Sequence, residues 1–308
     1  MKLPSLIYNK LYMPMCRVYA RYIMRDKTAD LVIRFLWGLY FWKVHRYWPR
    51  LRNPISFEEK VSCRMLFDRD PRWTMIADKW RVRDYVANKV GSEYLVPLLW
   101  HGGNPEDIPF NELPIKFVIK TNHGCKYTII VKDKTQLDQK KTRRQLKKWL
   151  NENFCQDKFL GLEWAYKNIR PTIIIESFLA DDSGNVPVDY KFFCYAGQAE
   201  FLQMNFDRFG DPYEKFFDRD FNALDLWNGT KQYPGEVVRP NNYESMICLA
   251  ESLAQGFDFI RVDLYSVCGQ IYFGELTCYP SGGMTPFVPE TYDFLFGEKW
   301  KYQRESNN

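Results

Sequence analysis

The sequence has few of the residues and patterns on which several common classes of protein depend. It contains only three histidines in 308 residues, and they lie far apart, which argues against a histidine-rich metal site. Its eight cysteines include no Cys-x-x-Cys pair, which argues against a zinc site or a disulfide framework and favours a reducing cytoplasm. No segment reaches the roughly 18–20 uninterrupted apolar residues of a membrane-spanning helix. Because Pro4 and Lys10 break the apolar stretch after Lys2, we also expect no secretory signal.

Aromatic residues and an uneven distribution of charge are what the chain has instead. Phe, Trp and Tyr make up 17% of the residues. Such richness is usual in a well-filled core, and also where rings line a sugar or nucleotide site or lie at a membrane surface. Residues 1–52 contain eleven Lys or Arg and two Asp, a net charge of +9, so the rest of the chain carries −4 of the total of +5. The basic character therefore belongs to the N-terminal part alone.

The sequence of that N-terminal part predicts helical structure. Pro14 and Pro49 bound residues 15–48, which we expect to form one or two helices. Their mixture of aromatic and basic side chains is typical of an interfacial helix that lies along an anionic membrane leaflet. A helical lid that packs on the main domain, with its basic edges in solvent, is the commoner alternative. Nothing in the chain matches a recognised nucleic-acid-binding module, so we expect no nucleic-acid partner.

The remainder of the chain predicts helices first and then mostly strands. Ser56 and Glu59 form a plausible capping box at the start of a helix. We expect further helices over about 75–89, 139–152 and 242–255, and a loop at 102–105. The expected strands are 114–120, 129–131, 171–176, 190–195, 199–205, 214–217, 258–265 and 270–277. Runs of strands with helices beside them predict an α+β fold with a mixed or antiparallel sheet.

The last two strands bring two carboxylates together. Side chains alternate between the faces of a strand, so Arg261 and Asp263 share one face of the first strand. If the loop comprises residues 268–270, Asp263 lies directly opposite Glu275, with the two Cβ atoms ~5 Å apart. Oxygen ligands at that spacing, with Thr277 nearby, suit Mg²⁺ bound to a nucleotide. The alternative is a partly solvated hairpin that carries two surface acids.

A second group of candidate residues follows the strand that ends at Lys120. The next residues turn at Gly124, so the Lys120 ammonium lies beside backbone N–H groups that can converge on phosphate oxygens. Lys126 lies inside this loop and adds a second cation, or is merely solvated. His123 is expected to stabilise the loop or to face a phosphate rather than to act as a general base.

Later stretches supply candidate residues for binding the adenine ring and for binding anions. Glu176 closes an isoleucine-rich strand, and the backbone around Glu176 and Phe178 is a natural shelf for adenine. Guanidinium groups match planar anions through paired hydrogen bonds. Candidates for binding phosphate or a substrate carboxylate are Lys191, Arg208 and Arg261.

Taken in order, these stretches resemble the ATP-grasp superfamily, and more closely its TupA-like branch, named for teichuronopeptide biosynthesis. The resemblance covers roughly residues 53–297. It is carried by Ala-Asp-Lys at 77–79, Lys-Phe-Val-Ile-Lys-Thr-Asn-His-Gly at 116–124, Val-Lys-Asp-Lys at 131–134, Asp-Tyr-Lys-Phe-Phe at 189–193, Phe-Asp-Arg at 206–208, Phe-Ile-Arg-Val-Asp-Leu-Tyr at 259–265, Tyr-Phe-Gly-Glu-Leu-Thr at 272–277 and Tyr-Pro at 279–280. Proteins of this branch are encoded among capsule, exopolysaccharide and O-antigen genes.

The resemblance implies an ATP-grasp fold, in which two α+β subdomains grip ATP between them, preceded here by the basic helical extension. We expect the extension over 1–52, a helical region over 53–112, the small subdomain over 113–180 and the large subdomain over 181–308. The resemblance implies Mg²⁺ ligands Asp263, Glu275 and Thr277. It implies ATP-binding residues Lys79, Lys120, His123, Gly124, Lys126, Glu176 and Phe178. It implies catalytic roles for Arg261, Arg208 and Lys191.

The activity that the resemblance implies is an ATP- and Mg²⁺-dependent ligation of a carboxylate to an amine through an acyl phosphate. We expect a uronic acid in a glycan as the carboxylate and an amino acid or small amino alcohol as the amine. The expected location is the cytoplasm, either free or peripheral at the inner face of the plasma membrane. Two alternatives stay open: a glycosyltransferase that uses a sugar nucleotide, and a membrane-associated module with a degenerate ATP site. The second arises because Gly-Cys-Lys-Tyr-Thr at 124–128 stands where the family usually has Gly-Ser-Gly-Gly-Asn.

Overall fold

The computed structural model describes residues 27–157, 162–181, 184–207 and 210–302. Within them the α-helices are α1 (Lys27–His45), α2 (Phe57–Phe67), α3 (Pro71–Ala77), α4 (Val82–Lys89), α5 (Gln139–Leu150), α6 (Phe154–Asp157), α7 (Tyr243–Ala254) and α8 (Thr291–Lys299). The strands are β1 (Leu98–Gly102), β2 (Phe117–Thr121), β3 (Thr128–Val131), β4 (Ile173–Ser177), β5 (Asp189–Tyr195), β6 (Gln198–Phe206), β7 (Tyr213–Asp218), β8 (Ala223–Leu224), β9 (Lys231–Gln232), β10 (Phe259–Val267) and β11 (Gln270–Thr277). Short 3₁₀ turns lie at Ser92–Tyr94, Pro105–Asp107, Lys134–Gln136, Trp164–Tyr166 and Pro280–Gly283. The predicted α+β class is confirmed.

A four-stranded antiparallel sheet forms the smaller layer. Its order is β1-β4-β2-β3, and β1, which the sequence did not predict, ends at the first residue of the loop expected over 102–105. Apolar residues that alternate along these strands point into one core with Leu146 of α5, which is fully buried. The register places Lys120 opposite Ile174 and Glu176 opposite Val118, so the two charged residues are diagonal neighbours on the same face of the sheet.

A second, seven-stranded sheet forms the larger layer. Its order is β11-β10-β5-β6-β7-β8, and β9 pairs in parallel with β7. Its strands are antiparallel neighbours otherwise, and the long helix α7 packs on β10, β5 and β6 through its apolar side. This sheet and the helices around it share one large aromatic-rich core. The aromatic richness of the sequence is therefore explained in large part by core packing.

Helix α2 begins as the sequence predicts. The Ser56 hydroxyl accepts a hydrogen bond from the Glu59 backbone N–H at 3.2 Å, and Glu59 Oε2 accepts one from the Ser56 N–H at 3.1 Å. This reciprocal pair is the capping box.

The single helix predicted over 75–89 is wrong, because the chain forms two helices with a break at Asp78. The Asp78 carboxylate accepts hydrogen bonds from the backbone N–H groups of Trp80 at 2.9 Å and Arg81 at 3.2 Å. It also accepts one from the side-chain amide of Asn122 at 2.8 Å. A carboxylate that binds the following N–H groups competes with the helical pattern, so α3 stops and α4 starts afresh.

The basic N-terminal segment packs against the body of the protein where it is described. One face of α1 is buried in the core through Ile33, Trp37 and Phe41, as the lid interpretation expected. Residues 15–26 of the predicted helical segment lie outside the described residues. No helix in the described part of the chain is long and apolar enough to cross a membrane.

The hairpin β10–β11 has the predicted pairing, but with a different turn and an additional bulge. Its turn contains two residues, Cys268 and Gly269, with φ of 50° and 80°, rather than the three-residue loop expected. That turn alone would shift the pairing by one residue, but the register shifts back at a bulge next to Gly274. Asp263 therefore lies directly opposite Glu275, as predicted.

We expect Gly274→Val to disturb this pairing. A Cβ atom at Gly274 would lie 3.0 Å from the Asp263 carbonyl oxygen and 3.0 Å from the Tyr265 ring. We expect the variant to lose about 1–3 kcal/mol of free energy of unfolding, measured by urea denaturation. Gly103→Val is the matched control, because nothing lies within 4 Å of the added Cβ. Equal stability of the two variants would contradict a crowded bulge.

Candidate active site

A cleft lies between the small and large sheets. It brings together side chains from the α3–α4 break, from β2 and β4, from the Trp164–Tyr166 turn and from β11. Its lining residues are Ile76, Ala77, Lys79, Val82, Arg83, Lys120, Tyr166, Ile174, Glu176, Phe273, Gly274, Glu275 and Leu276. The strand-ending lysine and one of the paired carboxylates thus share one cavity.

The two carboxylates belong to a hydrogen-bonded chain on one face of the hairpin. Arg261 donates to both oxygens of Asp263 at 2.7 Å, from Nε and from Nη2. Nη2 of Arg261 also donates to the Thr277 hydroxyl at 3.2 Å, and that hydroxyl donates to Glu275 Oε1 at 2.7 Å. Burial raises the pKa of Asp263, and the Arg261 guanidinium opposes that rise. The four predicted residues of the hairpin therefore act as one unit.

Lys191 approaches the same unit from the neighbouring strand. It is the register partner of Asp263 on β5, and its Nζ lies 3.4 Å from Asp189 Oδ2. Its positive charge also opposes the raised pKa of Asp263. The third predicted catalytic residue, Arg208, lies outside the described residues.

The donor set fits magnesium that arrives with a nucleotide. Within the described ranges, no group of three or more His, Cys, Asp or Glu side chains comes together to form a complete metal site. Asp263 and Glu275 do lie side by side, and Mg²⁺ is commonly bound by one or two carboxylates together with substrate phosphates. Thr277 supplies a further oxygen beside them.

Glu176 neutralises two cations at the opposite wall of the cleft. Its Oε2 accepts a hydrogen bond from Lys120 Nζ at 2.7 Å, and its Oε1 accepts one from Arg83 Nη1 at 2.7 Å. The Glu176 side chain is buried, with 9% of its surface exposed, so these ion pairs are shielded from water. Phe178, the other residue predicted at the adenine shelf, follows β4 and is not among the residues that line the cleft.

Lys79 and His123 hold the loop after Lys120 in place. Lys79 Nζ donates to the Gly124 carbonyl at 2.9 Å. His123 is 1% exposed, its Nε2 lies 2.9 Å from the Trp149 carbonyl oxygen, and burial lowers its pKa. His123 does not line the cleft. Its observed contact is with the backbone of Trp149 on α5.

Residues 125–127 stand where the family usually has Ser-Gly-Gly, and two of them contact neighbouring side chains. Tyr127 is buried, stacks on Trp149 with ring centroids 5.2 Å apart, and donates its hydroxyl hydrogen to Glu152. Cys125 Sγ lies 3.4 Å from the Tyr166 hydroxyl. Lys126 is exposed and has a left-handed φ of 64°.

Sequence reasoning missed three residues at this site. Arg83 and Tyr166 line the cleft, and Glu163 is 7% exposed beside it. Burial and the nearby Glu275 carboxylate raise the pKa of Glu163 to about 8, while Lys79 opposes the rise. Arg83 looked like an ordinary surface residue of a predicted helix. Glu163 and Tyr166 belong to a stretch without helical or strand periodicity, which offered no signal.

We expect Glu163→Gln to remove a pH dependence of stability. Between the ordinary carboxyl pKa of 4.5 and about 8, folded Glu163 holds a proton that the unfolded chain releases. The stability of the unaltered protein therefore falls as the pH rises across this window. In thermal denaturation without ATP and Mg²⁺, the variant should match the unaltered protein at about pH 4 and exceed it at about pH 8.

Glu236→Gln, at an exposed carboxylate, is the control and should change neither value. A Glu163→Gln variant that is equally or less stable at the higher pH would contradict a proton held on Glu163.

The model of the family described as TupA-like ATPgrasp matches residues 59–301, which is most of the chain. No curated protein sequence matches it.

Several solved structures are similar to parts of the fold. D-alanine–D-alanine ligase from Bacillus anthracis in complex with ATP has a TM-score of 0.41 and 15% identity over 73% of this chain and 62% of that one. The ATP-grasp ligase PsnB with a phosphomimetic variant of a minimal precursor, Mg and ADP has a TM-score of 0.40 and 12% identity. That match covers 75% of this chain and 61% of that one. L-amino acid ligase from Bacillus licheniformis has a TM-score of 0.43 and 12% identity over 73% of this chain and 51% of that one. The chain spans less than two thirds of the length of each of these three structures.

Proposed function

Because this chain belongs to the TupA-like ATP-grasp family, we propose that it is an ATP-dependent ligase that joins a carboxylate to an amine. One observation carries the proposal: Asp263 and Glu275 lie side by side on the hairpin, and Glu275 shares a cleft with Lys120. Paired carboxylates opposite a lysine are what a magnesium nucleotide needs, because the metal and the cation together offset the charge of the phosphates.

The reaction proceeds in two steps. A carboxylate oxygen of the acceptor attacks the γ-phosphorus of ATP, the bond from that phosphorus to the bridging oxygen breaks, and ADP leaves. The amine nitrogen then attacks the acyl carbon, a C–N bond forms, the bond to phosphate breaks, and the amine releases its proton. When bound, Mg²⁺ supplies positive charge that stabilises the phosphate oxygens during transfer.

The chain's own residues bind and orient the reactants. Asp263, Glu275 and Thr277 would hold the metal. Lys79, Lys120 and Lys126 would neutralise phosphate charge around the Gly124 turn, which His123 supports, and the backbone at Glu176 and Phe178 would receive adenine. Arg261, Lys191 and Arg208 would bind the transferring phosphoryl group and the acyl phosphate, since guanidinium and ammonium groups form charge-assisted hydrogen bonds with such oxyanions.

The substrates follow from the family rather than from the cleft. We propose a uronic-acid carboxyl in a surface glycan and a small amine, joined in the cytoplasm. The division into an extension over 1–52, a helical region over 53–112 and subdomains over 113–180 and 181–308 stays a prediction.

A glycosyltransferase is less well supported by the acidic residues. The sequence contains two Asp-x-Asp triplets, which such enzymes often use to bind a metal. In the first, Asp68 Oδ1 accepts from the Asp70 N–H, and Asp70 accepts from Arg72. In the second, Asp218 binds the backbone and side chain of Asn222 in the β7–β8 turn. Both triplets serve as caps and turns.

The test is ADP formation by the purified protein. With ATP, Mg²⁺, uronic acids and a pool of amines, we expect ADP to accumulate over many turnovers only when both a carboxylate and an amine are present, because a carboxylate alone supports at most the first step on each enzyme molecule. Turnover of a sugar nucleotide without ADP would favour the glycosyltransferase. No ADP with any acceptor, together with no thermal shift on adding ATP and Mg²⁺, would favour the degenerate module.

Asp263→Asn and Glu275→Gln should each lower the rate of ADP formation at least about 100-fold, as loss of a charge-stabilising group commonly does. Both variants keep the shape of the side chain, so circular dichroism should show an unchanged fold. Glu236→Gln, an exposed carboxylate change of the same chemistry, should leave the rate unaltered. Retention of activity in either hairpin variant would refute its metal role.

A further inference from the structure

Helix α1 has a second apolar face that nothing in the described chain covers. Leu31, Phe35 and Trp42 lie on one side of the helix, with 66%, 56% and 50% of their surfaces exposed. Leu39 and Trp48 extend this side, and the Trp48 ring lies over Gly38 with its centroid 5.9 Å from that of Phe35. We call these five apolar residues the outer face of α1. A helix that is apolar on both sides is unusual in a solvated protein.

The exposed apolar residues are clustered rather than scattered. Of the eleven large hydrophobic residues that are exposed in the described part of the chain, five form the outer face of α1. Single exposed hydrophobic residues are normal, but a continuous group marks a surface that binds something.

The outer face is held firmly on the protein. The opposite side of α1 is anchored by Trp37 and Phe41, neither of which is exposed. At the end of the helix, His45 Nε2 lies 3.1 Å from the Gly283 carbonyl oxygen. In the first half of the helix, the Arg34 guanidinium lies 4.5 Å from the centre of the Phe67 ring. The face is therefore presented as part of the folded body.

Charge indicates the kind of surface that it meets. The outer face belongs to residues 1–52, which carry +9, whereas the rest of the chain carries −4. Lys43 and Arg46 are exposed next to Trp42, and Arg52 is exposed beyond Trp48. In a second copy the exposed Lys43, Arg46 and Arg52 beside the face would meet their own counterparts, and like charges oppose that contact. An anionic surface that also accepts apolar rings is complementary.

We propose that the outer face of α1 binds the anionic surface of a lipid bilayer. Trp and Phe rings enter the boundary between headgroups and acyl chains, while the neighbouring Lys and Arg side chains meet lipid phosphates. The helix lies in the plane of the membrane and does not cross it.

The test is co-sedimentation of the full chain with vesicles. We expect binding to vesicles that contain phosphatidylglycerol, weaker binding in high salt, and little binding to pure phosphatidylcholine. Equal binding to both kinds of vesicle, or binding to neither, would overturn the proposal. Self-association in light scattering that is lost with the outer face, without vesicle binding, would assign the face to a second copy instead.

Substitution tests the face itself. Phe35→Ser with Trp42→Ser should weaken binding to anionic vesicles about tenfold or more, because it removes the inserted rings. Ile115→Ser with Val238→Ser is the matched control, since these residues are 53% and 87% exposed elsewhere, and should leave binding unchanged. Thermal denaturation checks that both variants fold. Unchanged binding by the first variant would contradict the proposal. Deletion of residues 1–48 is unsuitable, because it also removes the buried Trp37 and Phe41.

Discussion

Two carboxylates that face each other inside a protein are tolerated only when positive charge lies between or beside them. Asp263 and Glu275 meet that condition through Arg261, which binds both oxygens of Asp263 and reaches Glu275 through the Thr277 hydroxyl. The hairpin turn, the bulge at Gly274 and the pairing with β5 all serve to keep this arrangement in register. The cleft depends on it, because a one-residue slip would turn Glu275 to the other face of its strand.

The same principle operates on the far wall. Glu176 binds Lys120 and Arg83 at 2.7 Å, so the two cations do not repel each other in a confined space. Acids and bases are thus neutralised in separate groups: the carboxylates of the hairpin, of which Glu275 lines the cleft, lie with Arg261 and Lys191, and the cations on the other wall lie with Glu176. A magnesium nucleotide would compete for both groups at once, since its phosphates attract Lys120 and its metal attracts Asp263 and Glu275. Binding would exchange internal ion pairs for contacts with the ligand, a smaller change than exposing bare charges.

Local sequence patterns predicted most of the helices and strands. The contacts between those helices and strands could not be predicted from the same patterns. Alternation predicted which residues of β10 and β11 share a face, but the pairing of Asp263 with Glu275 was predicted from a three-residue loop, and it is found only because the bulge compensates for the shorter turn. Periodicity could not show that Asp78 would interrupt a helix, because its partner Asn122 is distant in sequence. For the same reason Glu163 escaped notice: its burial beside Glu275 depends on how the two sheets meet, and nothing local encodes that.

The altered phosphate loop does not by itself argue for a degenerate site. Glycines serve such loops by reaching positive φ and by letting the backbone approach a ligand closely. Lys126 adopts a φ of 64° without being glycine, which costs about 1–2 kcal/mol for an ordinary residue. Burial of the neighbouring Tyr127 ring against Trp149 offsets a cost of that size. At Gly124 the glycine is retained, and a Cβ there would lie 2.8 Å from the Phe154 and Tyr127 rings. The loop therefore combines a positive φ at Lys126 with a packed ring at Tyr127, which favours a loop that is organised without a ligand.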